Sequence, residues 1–195
     1  MIDAPLTVWE VFQRHTGRQI DKWRHYFDIY EKHFAKYVGR EPRVLEIGID
    51  HGGSLQMWKR YFGYGAKITG VDINPACTNY AETGIDIVIA DQCKLPDMGS
   101  FDIIIDDGSH VCAHQSITFR QMWPRCSGVY LIEDCHNGYP LLDPHPPVQY
   151  RYPWVIVAEQ PRRIIKGSPS RELRADEVEA RTQWGCFEAN TEVKS

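Results

Sequence analysis

The chain has 195 residues, 43% of them hydrophobic and 25% charged, with a net charge of −4 and six cysteines. That size supports one domain with a sizeable core, and the composition excludes global disorder. With no basic excess and no apolar run of membrane-spanning length, neither nucleic acid nor a membrane is expected as partner; a soluble, cytoplasmic protein with reduced cysteines and no zinc site is expected instead.

Thr7-Val-Trp-Glu10 is a capping box that opens a short helix ending near Gly17. Ile20, Trp23, Phe27, Tyr30, Phe34 and Val38 recur at helical spacing and predict an amphipathic helix over residues 21–38. Lys22, His25 and Tyr26 fall either on its solvated edge or in a lid over a ligand. Arg43-Val-Leu-Glu-Ile47 is the first predicted strand, followed by Gly48, by Asp50-His-Gly-Gly-Ser54 and by a helix from Leu55 to Tyr61. Strand, glycine-rich turn and helix together hold nucleotide-bearing cofactors: glycine lets backbone approach the ligand, and the helix N-terminus offers free N–H groups. Asp50 stands where a G-x-G-x-x-G pattern needs its second glycine, so a dehydrogenase ranks lower. Glu46, just before the turn, points to a cationic or amine-bearing ligand. Lys67–Val71 is the second strand and ends in Asp72, where an acid commonly binds ribose hydroxyls. Ile85–Ile89 is the third and leads to Asp91-Gln92, an acid–amide pair suited to an adenine amino group.

The fourth predicted strand begins FDIII at Phe101 and runs into Asp106, Asp107, Gly108, Ser109 and His110. The fifth, Val129–Ile132, runs into Glu133, Asp134, Cys135 and His136. Apolar runs of this kind are strands buried on both faces of a parallel sheet, and ligands collect beyond their carboxyl ends. Acids on adjacent strands about 5 Å apart repel unless they share a proton or a cation, and oxygen ligands favour Mg²⁺, Mn²⁺ or Ca²⁺. Ser109 is expected to cap a helix reaching about Trp123, with His110 and His114 on one face. Five prolines predict an ordered loop over residues 135–153. Trp154–Ala158 and Arg163–Ile165 read as a hairpin around Gln160-Pro161, and Glu172–Arg181 as a surface helix. The pattern is an α/β fold: a mostly parallel sheet with a C-terminal antiparallel hairpin, in a single domain.

The strand–helix alternation, the Glu-x-Gly turn, the acid ending the second strand and the Asp-Gln after the third resemble class I S-adenosylmethionine-dependent methyltransferases, which implies a Rossmann-like fold. DDGSH, His114, Phe119, a proline before Gly128 and YLIED resemble, more narrowly, the metal-dependent sugar O-methyltransferases. That group includes macrolide-sugar enzymes and the mycobacterial methylmannose polysaccharide 1-O-methyltransferase. The resemblance spans roughly residues 20–135. It implies ligation of Mg²⁺ or Mn²⁺ by Asp107, Glu133 and Asp134, with His110 as general base. It implies Glu46, Gly48 and Ser54 around the methionine moiety of S-adenosylmethionine, Asp72 on its ribose, and Asp91 with Gln92 near its adenine. The reaction it implies is methylation of a sugar hydroxyl on a glycoside or oligosaccharide, in polysaccharide or antibiotic biosynthesis. The partner is then a carbohydrate acceptor, and a homo-oligomer is allowed. Tyr139, Tyr150, Tyr152 and Trp154 either stack on such sugars or pack their own loop. The macrolide enzymes can carry an extra N-terminal domain, for which this chain leaves no room, and the region after Asp134 is too short and proline-rich for a full helix. The competing readings are a catechol O-methyltransferase, an iron oxygenase, which needs two histidines and one carboxylate, and a nucleotide-binding regulatory module, which needs no buried acids.

Overall fold

Seven apolar segments pair into one sheet in the computed structural model, which describes residues 5–160. They are β1 (Arg43–Ile47), β2 (Lys67–Asp72), β3 (Ile85–Ile89), β4 (Phe101–Asp106), β5 (Cys126–Ile132), β6 (Val148–Tyr152) and β7 (Val155–Glu159), in the spatial order β3-β2-β1-β4-β5-β7-β6. The first five run parallel, and β7 is antiparallel to both β5 and β6. The chain builds outward from β1 in one direction through β2 and β3, then returns to place β4 on its other side. That reversal opens a crevice beyond the strand ends, where α/β sheets bind ligands. Register fixes what reaches it: Ile47 pairs with Asp106, and Asp106 with Ile132, so Glu46 near the end of β1 and the acids after β4 and β5 emerge side by side.

Four helices cover the sheet: α1 (Val8–Gln13), α2 (Tyr26–Phe34), α3 (Gly53–Phe62) and α4 (Cys112–Met122). Side chains alternate along each strand and so feed two cores. Val44, Ile103, Ile105 and Leu131 join Tyr30, Phe34, Leu55 and Trp58 on the face of α2 and α3. Leu45, Ile104 and Tyr130 join Phe119 and Met122 of α4 on the other. The expected capping box at Thr7 and Glu10 is present. Among the described residues no helix is long and apolar enough to cross a membrane, and Cys77, Cys93, Cys112, Cys126 and Cys135 are free thiols.

Three expectations need correction. The helix expected over 21–38 starts only at Tyr26, because the segment before it is drawn elsewhere: the Lys22 ammonium contacts three acids, and the Arg24 guanidinium lies over the Trp9 ring at 4.0 Å. The helix after β4 begins at Cys112 with Val111 as its cap; the Ser109 hydroxyl instead bonds His114 Nδ1 at 2.9 Å, and His110 precedes the helix. The hairpin joins β6 to β7 through Pro153-Trp154, so the second half of the expected proline-rich loop is a strand. Proline is tolerated here because it sits in the connection, where no ladder bond is lost. The strand expected at Arg163–Ile165 and the helix expected at Glu172–Arg181 lie outside the described residues.

Candidate active site

A cleft of about 450 Å³ opens at the reversal point, lined among others by Gly48, Ser54, Asp72, Asp107, His110 and Asp134. Its floor depends on close backbone approach. Gly48 has φ +80°, and a Cβ there would overlap the Asp107 carbonyl, so only glycine lets the turns after β1 and β4 touch. The Asp72 carboxylate shapes the same turn: it accepts the N–H groups of Ile49 at 3.0 Å, Asp50 at 3.4 Å and Asn74 at 2.8 Å. Gly53, at the start of α3, lies directly under the carbonyls of Arg18 and Gln19. The N-terminal segment therefore crosses α3 and carries Lys22 into the cleft.

Lys22 is the centre of the site. Its ammonium donates to Asp107 Oδ2 at 2.6 Å, Glu133 Oε2 at 3.0 Å and Glu46 Oε1 at 3.1 Å, with its side chain 3% exposed. Glu46 also accepts from the Ser54 hydroxyl at 2.7 Å and Trp58 Nε1 at 3.1 Å. The Tyr30 hydroxyl donates to Glu133 at 2.8 Å, and that of Tyr26 to Asp134 at 2.5 Å. Burial works to discharge Lys22, yet Asp107, Glu133, Tyr30 and Glu46 hold its pKa well above the ordinary value. Burial raises Asp107 and Glu133 above the usual carboxylate range, against the pull of the same ammonium. Asp106, fully buried behind them, is pushed up to about 7 by burial. One ammonium cannot balance this many carboxylates, and burial pushes Asp107, Glu133 and Asp106 toward their protonated forms.

Where the predicted residues fall is uneven. Asp107, His110 and Asp134 converge, each offering one ligand atom within 4.8 Å of the others. His110 has φ +57°; its Nε2 lies 3.7 Å from Asp134 Oδ2, and its Nδ1 is buried without a hydrogen-bond partner. This excess of negative charge, beside an unpartnered imidazole nitrogen, fits a hard divalent cation. Glu133, the third expected ligand, stands outside that triad, its carboxylate engaged by Lys22 and Tyr30. Gly48, Ser54 and Asp72 line the cleft, and Glu46 stands behind Ser54. Asp91 and Gln92 are not among its lining. Asp91 caps a short turn by accepting the Cys93 N–H at 2.8 Å. The buried Gln92 amide accepts the Ser109 N–H at 2.7 Å and donates to Thr118 at 3.0 Å and Asp106 at 3.4 Å. Lys22 and Tyr26 were legible only as an open alternative, and Tyr30 only as core. The available signal was a lysine set between the apolar residues Ile20 and Trp23, where the stripe of α2 starts.

The sheet order and the strand-end site are those of the class I methyltransferase fold. Within it, this chain is a relative of sugar O-methyltransferases. It is 40% identical over 137 residues to the 8-demethyl-8-alpha-L-rhamnosyl tetracenomycin-C 2'-O-methyltransferase of Streptomyces olivaceus, a match covering 61% of this chain and 36% of that protein. It is 41% identical over 126 residues to the demethylmacrocin O-methyltransferase of Streptomyces fradiae, covering 56% and 31%. Among solved structures it resembles the MycE methyltransferase of the mycinamycin biosynthetic pathway in complex with Mg and SAH, with a TM-score of 0.69 at 26% identity over 86% of this chain and 58% of that one. The matched region is thus about a third of the length of these curated relatives, 36% and 31%. No protein-family model matches the chain.

Proposed function

We propose that this chain is a cytoplasmic, S-adenosylmethionine- and Mg²⁺-dependent O-methyltransferase acting on a sugar hydroxyl of a glycoside. The observation that carries the reading is the convergence of Asp107, His110 and Asp134 beside the Gly48 turn. The names of the relatives support it: one acts on a rhamnosyl tetracenomycin, and MycE has been seen with Mg, SAH and mycinamycin VI. Asp107 and Asp134 would hold the cation, together with Glu133, whose carboxylate Lys22 and Tyr30 keep in the same cluster. Asp72, Gly48 and Ser54 line the cleft; Asp72 would meet the ribose hydroxyls, and Gly48 and Ser54 would border the methionine moiety. Asp91 and Gln92 would lie near the adenine, Gln92 chiefly by fastening the turn that leads to His110.

When bound, the cofactor supplies an electrophilic methyl group and the cation acidifies a sugar hydroxyl. The residues of the chain do the rest. His110 would take the hydroxyl proton, and Tyr26 fixes the Asp134 carboxylate, one of the groups that would hold the cation. The buried acids concentrate negative charge beside the cleft. The proposed ligands, Asp107, Glu133 and Asp134, are all carboxylates, which separates this reading from an iron oxygenase, whose chemistry wants two histidines and one carboxylate.

The test is calorimetry with S-adenosylhomocysteine and with NAD, with and without Mg²⁺, followed by methyl transfer to rhamnosides, mannosides and catechols. Binding of S-adenosylhomocysteine and Mg²⁺-dependent transfer to a glycoside are expected. Binding of NAD alone, or a strong preference for catechols, would overturn the reading.

A further inference from the structure

Trp23, which lines the cleft, is also one wall of a second cavity of about 540 Å³, whose other walls among the described residues are His25, Ile29, Tyr152, Pro153 and Trp154. Among the described residues that lining is aromatic and aliphatic with one imidazole, without lysine, arginine or carboxylate. Trp23 is 54% exposed and Trp154 39%, yet their rings meet edge to face with centroids 5.3 Å apart. The shelf is held in place from below. His25 Nε2 lies 3.3 Å from the Pro153 carbonyl, and the Cys135 N–H donates to the Trp154 carbonyl at 2.8 Å. These contacts tie the hairpin tip to the segment before α2 and to the end of β5. The Tyr152 ring is fixed through its hydroxyl, 2.8 Å from His33 Nε2.

The backbone of Trp154 is a second, independent observation. It has φ +61°, in a two-residue connection between paired Tyr152 and Val155 with proline first. Proline followed by positive φ is the type II pattern, whose second position favours glycine or asparagine. A bulky residue in the left-handed region is strained, and strained residues gather at ligand clamps. Glycine would serve the turn better; what tryptophan adds is an exposed aromatic face.

We propose that Trp23 and Trp154 form the subsite for the apolar, ring-bearing aglycone of the acceptor, with its sugar in the cleft beside His110. This rests on the glycoside O-methyltransferase reading and deepens it. Because Trp23 belongs to both cavities, a molecule that fills them has a hydroxyl-rich end and a flat apolar end. The Trp23 and Trp154 rings themselves offer a phosphate or carboxylate no counter-charge; the Lys32 ammonium lies beside Tyr152, 5.4 Å from that ring's centroid. Trp154 is then a specificity-determining residue, kept at a backbone position that disfavours it.

The experiment compares methyl and 2-naphthyl α-L-rhamnoside binding to protein loaded with S-adenosylhomocysteine and Mg²⁺. The naphthyl compound should bind at least tenfold tighter to the natural sequence. In Trp154→Gly that ratio should fall close to one while the melting midpoint stays equal or rises, since the turn is relieved. Trp23→Ala, folded by the same criterion, should also lose the ratio. A ratio that survives both substitutions, or its absence from the natural sequence, overturns the proposal. So does a fall in oligomer mass on sedimentation of Trp154→Gly with the ratio intact, which would make the shelf a contact between copies. Failure to bind S-adenosylhomocysteine at all removes the methyltransferase reading and the subsite with it. Binding of it with equal glycoside affinities removes only the subsite.

Discussion

Replacing Lys22 by methionine is the sharpest perturbation of this site. The substitution keeps an unbranched side chain, one atom shorter, and removes its charge, leaving Glu46, Asp107 and Glu133 without the ammonium that reaches all three within 3.1 Å. A pair at about 3 Å in an effective dielectric of about 20 attracts by about 5 kcal/mol before desolvation is counted. Removing one partner of a buried ion pair costs about 3–5 kcal/mol net, because the other is left uncompensated. Lys22→Met should therefore lose about 3–5 kcal/mol of unfolding free energy at pH 7.5 in urea denaturation without metal. The loss should shrink at pH 5.5, where the stranded acids can take up protons, and also on adding Mg²⁺, which favours the folded state by mass action. A loss below about 1 kcal/mol at pH 7.5, or one independent of both pH and Mg²⁺, would refute the view that Lys22 is the counter-ion of the cluster.

The same acids set the pH dependence of the natural sequence. Burial raises Asp107, Glu133 and Asp106 above their unfolded values, so the folded state binds more protons than the unfolded one. Their contribution to stability is full below the ordinary carboxylate range and falls as pH rises through the folded pKa values. Metal-free melting midpoints should accordingly fall between about pH 4.5 and pH 8, a trend that Mg²⁺ should flatten; midpoints rising across that window would contradict it. Asp72→Ala should weaken S-adenosylhomocysteine binding at least tenfold by calorimetry, and unchanged affinity would detach Asp72 from the cofactor. His110→Ala should lower turnover by ~10²-fold or more with cofactor affinity kept, while His114→Ala does much less; equal costs would disqualify His110 as the base. Exhaustive chelation should abolish turnover and Mg²⁺ restore it, whereas activity surviving chelation would take the metal out of the reaction.

The sheet was legible because its central parallel strands are apolar runs, a pattern set by burial on both faces. Arg43–Ile47 emerges with the expected bounds for that reason; Ile85–Ile89 does so too, although only Ile85 in it is buried. Acids at strand ends were legible for the same cause, since the strand fixes where they point. What could not be read was tertiary. Lys22 lies 85 residues from Asp107 and 111 from Glu133, so nothing local announces their contact. Periodicity extended α2 through residues 21–25, but the pull of the acids on Lys22 outweighs the helical preference of one turn. β6 was hidden by prolines, which here punctuate the strand at its ends without interrupting it. The two ends of the Gln92 side chain also look free in the sequence, and both are taken by the turn and helix after β4.

The crossing of α3 by the segment at Arg18 and Gln19 bears on anyone who would transplant this cleft. The sheet supplies the carboxylates, but the cation balancing them and the phenols gripping two of them, Tyr26 and Tyr30, come from outside the sheet. A graft that copied only the strand ends and their loops would import mutual repulsion and leave its remedy behind. The smallest portable unit of the site is therefore discontinuous: the strand-end turns together with the stretch from Arg18 to Tyr30, docked over a glycine at position 53 small enough to let it pass.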